Sequence, residues 1–191
     1  MLQLVRKFRF FLLKSIVYRQ YEIGPDFYCG LGIKIWAKSR LRIGKNFYMG
    51  KGSIIEADAE IGDNVIWGNN VALIGKYDHH YQQIGSTIRE ASAIRDKDYK
   101  WKGLNLLTVI ENDVWVGYGS ILMSGITICE GSIIAAGSVV TKNVEPYSIY
   151  AGVPARKIAN RFDNEQDLKL HLQTVNSKYL SESSVPIAVT I

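Results

Sequence analysis

Residues 110–145 read IENDVW VGYGSI LMSGIT ICEGSI IAAGSV VTKNVE, six hexads in unbroken succession. The first place in each hexad is Ile110, Val116, Leu122, Ile128, Ile134 and Val140, always a medium aliphatic. The fifth is Val114, Ser120, Ile126, Ser132, Ser138 and Val144, always small or β-branched. An amphipathic helix repeats every ~3.6 residues and a half-buried strand every ~2, so neither makes this pattern. A solenoid does, in which each hexad is one short strand and a corner and three hexads close a triangular coil. The first place then fills the prism, and the fifth sits near a corner where space is limited.

The same spacing extends back over residues 31–72 as LGIKIW AKSRLR IGKNFY MGKGSI IEADAE IGDNVI WGNNVA. First places there are Leu31, Ala37, Ile43, Met49, Ile55, Ile61 and Trp67; Ala37 and Trp67 fit imperfectly, and Phe47 is bulky for a fifth place. Gly32, Gly44, Gly50, Gly62 and Gly68 occupy second places, beside corners where a side chain would crowd the backbone. Both runs together amount to between four and five coils, a prism about 20 Å tall at ~4.8 Å per coil. The phase fails after Leu73 and resumes at Ile110. The excursion between them, residues 74–109, carries His79, His80, dense mixed charge, and Gly75, Gly85 and Gly103 out of phase. Long insertions in a repeat array project from one face and commonly carry function.

Three regions follow: a basic helix over 1–22, a β-helix over 23–162 with its excursion, and a C-terminal helix and tail over 163–191. In the first, Val5, Phe8, Leu12 and Ile16 share a helical face, and Arg6, Lys7, Arg9, Lys14 and Arg19 occur with no acid before Glu22. The rest of the chain is balanced, so the net charge of +5 belongs to this arm and a nucleic-acid partner is not expected. Two readings of the arm stand side by side: a peripheral anchor on anionic lipid, or a helix packed on its own solenoid or on a neighbouring subunit. The cations are scattered round the wheel, which favours packing. Arg9 and Lys14 interrupt the apolar run and no small-residue cleavage site follows, so a secretory signal is not expected. No apolar run reaches the ~18 residues of a membrane span. Cys29 and Cys129 read as free cytosolic thiols. Near the other end, Pro146 and Pro154 close the strand pattern, Asp163 with Gln166 forms a weak capping box, and Leu168, Leu172, Val175 and Tyr179 line one helical face. The last residues, SESSVPIAVTI, read as a frayed tail or an added strand.

Chemistry concentrates in GKYDHHYQQIG, residues 75–85. A neutral imidazole takes a proton near neutral pH and suits activation of a hydroxyl or amine; neighbouring residues point different ways, so at most one histidine serves. Asp58, Asp78 and Glu90 are candidate orienting carboxylates. A three-histidine zinc site would need His171, which lies in the C-terminal helix, so no metal is expected. Lys142 and Arg156 flank the end of the solenoid, where fixed cations and backbone N–H groups can hold phosphate.

The hexads, the histidine loop, and above all YAGVPARKI at 150–158 resemble the hexapeptide-repeat acyltransferases of left-handed β-helix fold. The galactoside, maltose and colanic-acid O-acetyltransferases are the most similar branch, over residues 31–162. The resemblance implies a left-handed coil, against the usual handedness of parallel crossovers. It also implies a homotrimer with sites between subunits, and direct acetyl transfer from acetyl-CoA to a saccharide. His79 then matches the general base. Trp115, Gly117, Ala136, Thr141, Lys142 and Arg156 match cofactor contacts, and Asp58, Trp115 and Tyr118 match the acceptor side. No cysteine stands at a family catalytic position, so no acyl-enzyme is implied.

The chain departs from that pattern at Gly50, where galactoside enzymes carry an acceptor-binding Asn, at Tyr118, where they carry Ser, and at Ala159, a basic position for CoA. Arg89, Arg95, Lys97, Lys100, Trp101 and Lys102 in the excursion suit a larger or anionic acceptor, such as a nucleotide- or lipid-linked sugar. The expectation is therefore a cytoplasmic enzyme of surface polysaccharide assembly, with peripheral contact at the inner face of the membrane through residues 1–21 as the alternative to packing of that arm. An N-acetyltransferase of an amino-sugar and a non-catalytic scaffold subunit are the alternatives.

Overall fold

The computed structural model describes residues 8–183. Fifteen strands of two or three residues, from β1 (Glu22–Ile23) to β15 (Val139–Val140), wind into five complete coils of a left-handed parallel β-helix. Successive strands pass to the next of three parallel sheets, so each face stacks every third strand. The inward columns are Ile23, Ile43, Ile61, Ile110 and Ile128 on the first face. They are Cys29, Met49, Trp67, Val116 and Ile134 on the second. On the third they are Ile35, Ile55, Leu73, Leu122 and Val140. All fifteen are buried.

These columns correct the reading of the first coil. The first places there are Ile23, Cys29 and Ile35; Leu31 is nearly two-thirds exposed and Ala37 only borders the core. The six-residue step holds to Ile35, then eight residues separate it from Ile43. Two extra residues at that corner shifted the earlier frame, and the solenoid begins at Glu22 instead of Leu31. It has five full coils, where the thirteen hexads read from the sequence fall between four and five. The imperfect positions are resolved by pairing: Trp67 is wholly enclosed, and Phe47 at its fifth place meets it edge-on, centroids 5.5 Å apart at 90°. In the true frame Gly24, Gly30, Gly44, Gly50, Gly62, Gly68 and Gly117 follow inward residues on the first two faces. A Cβ at Gly50 would stand 2.1 Å from the Gly68 carbonyl oxygen, so the coils close on each other only if this place is bare. Gly32 lies outside the frame and a Cβ there would meet nothing.

Strand structure also runs on past Pro146 and Pro154. β16 (Ser148–Gly152) adds a sixth rung to the second face, and β17 (Ala155–Asn160) returns antiparallel after a turn at Val153–Pro154. The prolines fit because one precedes the rung and the other occupies the turn, where no ladder N–H is required.

The N-terminal segment covers the first coil. Residues 8–17 are helical, ending in a π-helical turn, Leu13–Val17. Phe10 and Leu13 pack on the core, Tyr18 is buried, and Phe10 meets Tyr28 edge-on at 5.4 Å. Arg9 donates to the Gly30 carbonyl, and Lys14 Nζ donates to the Gly24 carbonyl at 3.1 Å. The segment therefore caps the first coil, as the packing reading has it. The face expected to pack is the outer one, since Phe8 and Ile16 are exposed; Val5 lies outside the described residues. After the last strand, helix α1 (Glu165–Ser183) is N-capped by Asn164, one residue later than expected, and lies beside the corner residues Asp63, Asn64, Asn112 and Asp113. Asn164 Oδ1 accepts from Asp167 N at 2.9 Å while its Nδ2 donates to Asp167 Oδ2 at 2.8 Å. Leu168, His171, Leu172 and Val175 form its half-buried face; Tyr179 and the SESSVPIAVTI tail lie where side chains are not described. Among the described residues no helix is long and apolar enough to cross a membrane.

Candidate functional site

The excursion leaves the third face after β9 (Ala72–Ile74) and rejoins the first at β10 (Thr108–Ile110), so it stands on one edge of the prism. It is a folded unit. His79 forms an antiparallel bridge with Ala93, His80 N donates to the Ser92 carbonyl, and Ile94 N to the Asp78 carbonyl, both at 2.9 Å. This short ribbon fixes the backbone of 78–80. Tyr99, almost fully buried, donates its hydroxyl to the carbonyls of Tyr77 at 2.7 Å and Lys102 at 2.8 Å.

The two histidines part as neighbours on a ribbon should. His80 lies flat on Trp101, centroids 4.4 Å apart, within a cluster that includes Tyr77 and Tyr81. It holds the excursion together. His79 is exposed and opens on a pocket of about 200 Å³ lined by Trp36, Glu56, Asp78, Ala93, Ile94 and Arg95. Arg95 binds Glu56 at 3.1 Å and lies over the Trp36 ring at 4.2 Å. Burial, and next the charge of Glu56, push the Asp78 carboxyl above its ordinary value, against the pull of His79 and Arg95. Its Oδ1 is buried without a hydrogen-bond partner.

Of the expected carboxylates, Asp78 alone borders His79. Asp58 Oδ1 accepts from Ser39 N at 2.8 Å, a bond between coils like that of Asp63 to Lys45 N, and it lines an adjoining crevice that shares Trp36, Glu56 and Ile94 with the histidine pocket. Glu90 is occupied by Thr87, whose N and Oγ1 lie at 3.1 and 2.9 Å. Arg95 was expected on the acceptor side with the other excursion cations; Glu56 and Trp36 were not expected in the pocket. The signal for these two was positional. On the third face the second place carries side chains where the lower coils of the other faces carry glycine: Trp36, Glu56, Ile74, Met123 and then Thr141. This outward row leads from the histidine pocket to Thr141 and Lys142, two coils above the root of the excursion and on the same edge.

The other expected residues lie elsewhere. Trp115 projects from the second face, more than half exposed, in a column with Tyr28, Tyr48, Ile66 and Ile133. Gly117, Tyr118 and Ala136 form the next edge, where Gly137 N donates to the Tyr118 carbonyl and Asn70 Nδ2 donates to the Tyr118 hydroxyl. A Cβ on Gly117 would lie 2.5 Å from Ala136 N. Arg156 extends from β17, exposed, bonded to the Ala155 carbonyl. A single chain thus divides the expected set between two edges. His171 sits beyond both, 3.6 Å from Asp113 and packed on Phe162. The excursion's basic and aromatic residues also divide: Arg95 is held by Glu56 and Trp36 of the coils and Trp101 by the aromatic cluster, while Arg89, Lys97, Lys100 and Lys102 stay exposed.

Comparison with known proteins agrees with this architecture. Residues 107–142 match the bacterial transferase hexapeptide (six repeats) and residues 40–74 the hexapeptide repeat of succinyl-transferase. The galactoside O-acetyltransferase of Escherichia coli (strain K12) is 33% identical over 181 residues, covering 90% of this chain and 80% of that protein. The chain belongs to the hexapeptide-repeat acetyltransferase family. A crystal structure of a maltose O-acetyltransferase from Clostridium difficile 630 superposes with a TM-score of 0.59 at 27% identity, covering 77% of this chain and 74% of that one. A probable macrolide acetyltransferase of Lysinibacillus sphaericus is more alike locally, 56% identical over 59 residues. That match spans 31% of this chain and only 33% of the relative. The Escherichia coli relative thus aligns with nearly the whole chain, while the 59-residue match is confined to part of it.

Proposed function

We propose that this protein is an acetyl-CoA-dependent O-acetyltransferase of a saccharide, acting in the cytoplasm during surface polysaccharide assembly. The observation that carries the reading is the pocket at the interruption of the repeat. There a single exposed imidazole is held by a ribbon beside two carboxylates, at the foot of an outward row that ends at Thr141 and Lys142. In the reaction, His79 takes the proton of the acceptor hydroxyl as its oxygen bonds to the thioester carbonyl carbon. The tetrahedral intermediate collapses with cleavage of the C–S bond, and the CoA thiolate takes the proton back from the imidazolium. Trp115, Gly117, Ala136, Thr141, Lys142 and Arg156 hold the cofactor, and Tyr118 borders the acceptor.

A homotrimer supports this chemistry because it joins what one chain separates. The first face is charged, with Glu22, Arg42 and Glu60 outward. The second shows the Tyr28–Tyr48–Ile66–Trp115 column and the third shows Ile54, Ala72, Ile121 and Val139 above Lys34 of the first coil. Two different apolar faces per chain suit a heterologous contact that closes into a ring, which would set Trp115 of one copy near the histidine edge of the next. Arg89, Lys97 and Lys100 on the outer excursion suit an acceptor linked to phosphate through a nucleotide or lipid.

The pair Glu56 and Asp78 also favours a second reading, N-acetylation of an amino-sugar, since carboxylates hold an incoming ammonium. Labelled acetyl-CoA with an acceptor panel, followed by identification of the acetylated atom, separates the two. His79→Ala should lose transfer by ~10² or more while the assembly stays intact; unchanged transfer in that variant refutes the proposal.

A further inference from the structure

The capping helix offers the strongest feature that the transfer reaction leaves unused. Its inner side is spent on the first coil through Phe10, Leu13 and Tyr18, with Arg9 and Lys14 tethered to the Gly30 and Gly24 carbonyls. Its outer side shows Phe8, Phe11, Ile16 and Val17, each more than half exposed, and Leu31 of the adjoining corner is exposed as well. Four large apolar side chains within ten residues are too many to leave in water without a partner. The residues around them are of one sign: five cations and no acid before Glu22, in a chain otherwise balanced. A second copy of this same basic face would be repelled by it; an anionic surface would not.

We propose that the capping helix is the docking face for an anionic lipid bilayer, with Phe8, Phe11, Ile16 and Val17 entering the headgroup boundary and the net positive charge of the arm drawing it to the anionic surface. The position of the helix supports a flat partner, because it lies across the end of the prism and its free side faces away from the coils. In the ring proposed above, side faces pair and the prism axes run alongside one another, so three such caps share one face of the assembly. One weak contact then becomes three simultaneous ones. This last step rests on the trimer; docking of a single cap does not. A lipid-linked acceptor would be met at the same surface.

The test is co-sedimentation of the full chain with phosphatidylcholine vesicles, and with vesicles in which about a third of the lipid is phosphatidylglycerol. The expected result is capture by the anionic vesicles, loss of capture at high salt, and at least ~10-fold weaker partition for Phe8→Ser/Phe11→Ser/Ile16→Ser. Transfer of acetyl to a soluble acceptor and the oligomeric mass, measured on the same preparations, should not change with the substitutions. Wild-type protein that stays in the supernatant with anionic vesicles overturns the docking face even if acetyl transfer is intact. So does a triple variant that binds as well as wild type, or one whose oligomeric mass falls, which would give the face to another copy. Failed acetyl transfer with intact vesicle binding would instead remove the proposed function and leave the docking face standing.

Discussion

Trp67→Ala is the sharpest test of how the prism is filled. Trp67 is the largest wholly enclosed side chain and sits in the third of five coils, between Met49 below and Val116 above, with Phe47 edge-on beside it. Truncating an enclosed aromatic to alanine destabilises by about 3–5 kcal/mol. Against this, the indole Nε1–H is buried without an acceptor, and an unmet buried donor costs about 1–3 kcal/mol that truncation releases. The net expectation is a loss of about 2 kcal/mol. With a urea dependence of about 2 kcal/mol per M, the midpoint falls by about 1 M. Trp67→Phe removes the same donor but keeps a ring against Phe47, so it should stay within about 1 kcal/mol of the parent. Urea titration followed by far-UV circular dichroism at fixed protein concentration reads both, without relying on the fluorescence of the residue removed. Equal losses in the two variants would refute the reasoning, because packing of the ring would then count for nothing. An alanine shift below about 0.3 M would refute it as well.

Three further outcomes follow from the same geometry. Gly50→Ala places a Cβ 2.1 Å from the Gly68 carbonyl; the coils must part, and calorimetry should show a melting temperature lower by about 6 °C, for a loss of about 2 kcal/mol. Asp78 has a carboxyl raised chiefly by burial, so its ionisation opposes folding: that cost is absent below the ordinary carboxyl range and grows as pH rises through it. Asp78→Asn should therefore gain stability over the parent at neutral pH and lose that advantage near pH ~3, whereas a constant difference at both would show that charge is not the cause. Tyr147 is pushed up to about 12, first by burial and then by Glu130, so the fold favours its neutral form. Stability should decline as pH climbs from the ordinary tyrosine value of ~10 toward 12, and denaturant titrations of Tyr147→Phe over that span should show a shallower decline.

The solenoid was legible because its period is imposed by packing. Every sixth residue from Ile110 to Val140 is a medium aliphatic that fills a column, and the same step from Ile43 to Leu73 gives buried apolar residues, with Met49 and Trp67 the larger members. The first coil was misframed for an equally physical reason. Two extra residues between Ile35 and Ile43 break the count without breaking the column, and a period read from sequence cannot register a longer corner. Exposed Leu31, an aliphatic in a plausible place, made the wrong frame look right. His79 was legible as an interruption, but its separation from His80 was not, since it depends on the bridge to Ala93 and on Trp101, 21 residues beyond His80 in the chain. Glu56 lay hidden inside IEADAE because a charged second place has meaning only once the third face is distinguished from the other two.

A closed prism leaves little room for chemistry, which explains where this chain places its irregular parts. First places are filled by the core, and bare second places in the lower coils of the first two faces let neighbouring coils meet backbone to backbone. Only the third face carries side chains at its second place throughout, so only its edge can be lined. Both breaks in the repeat fall on that edge: the two-residue insertion in the first coil and the excursion after β9. They also touch. Lys38, in the lengthened corner, donates Nζ to the Asp96 carbonyl at 2.7 Å, and Trp36 just before it lies under Arg95. The lengthened corner thus reaches up to hold the excursion, and the excursion holds His79 over Glu56. Read separately, one break is an error in the count and the other a loop; together they are two halves of a single support, and the pocket lies where they meet.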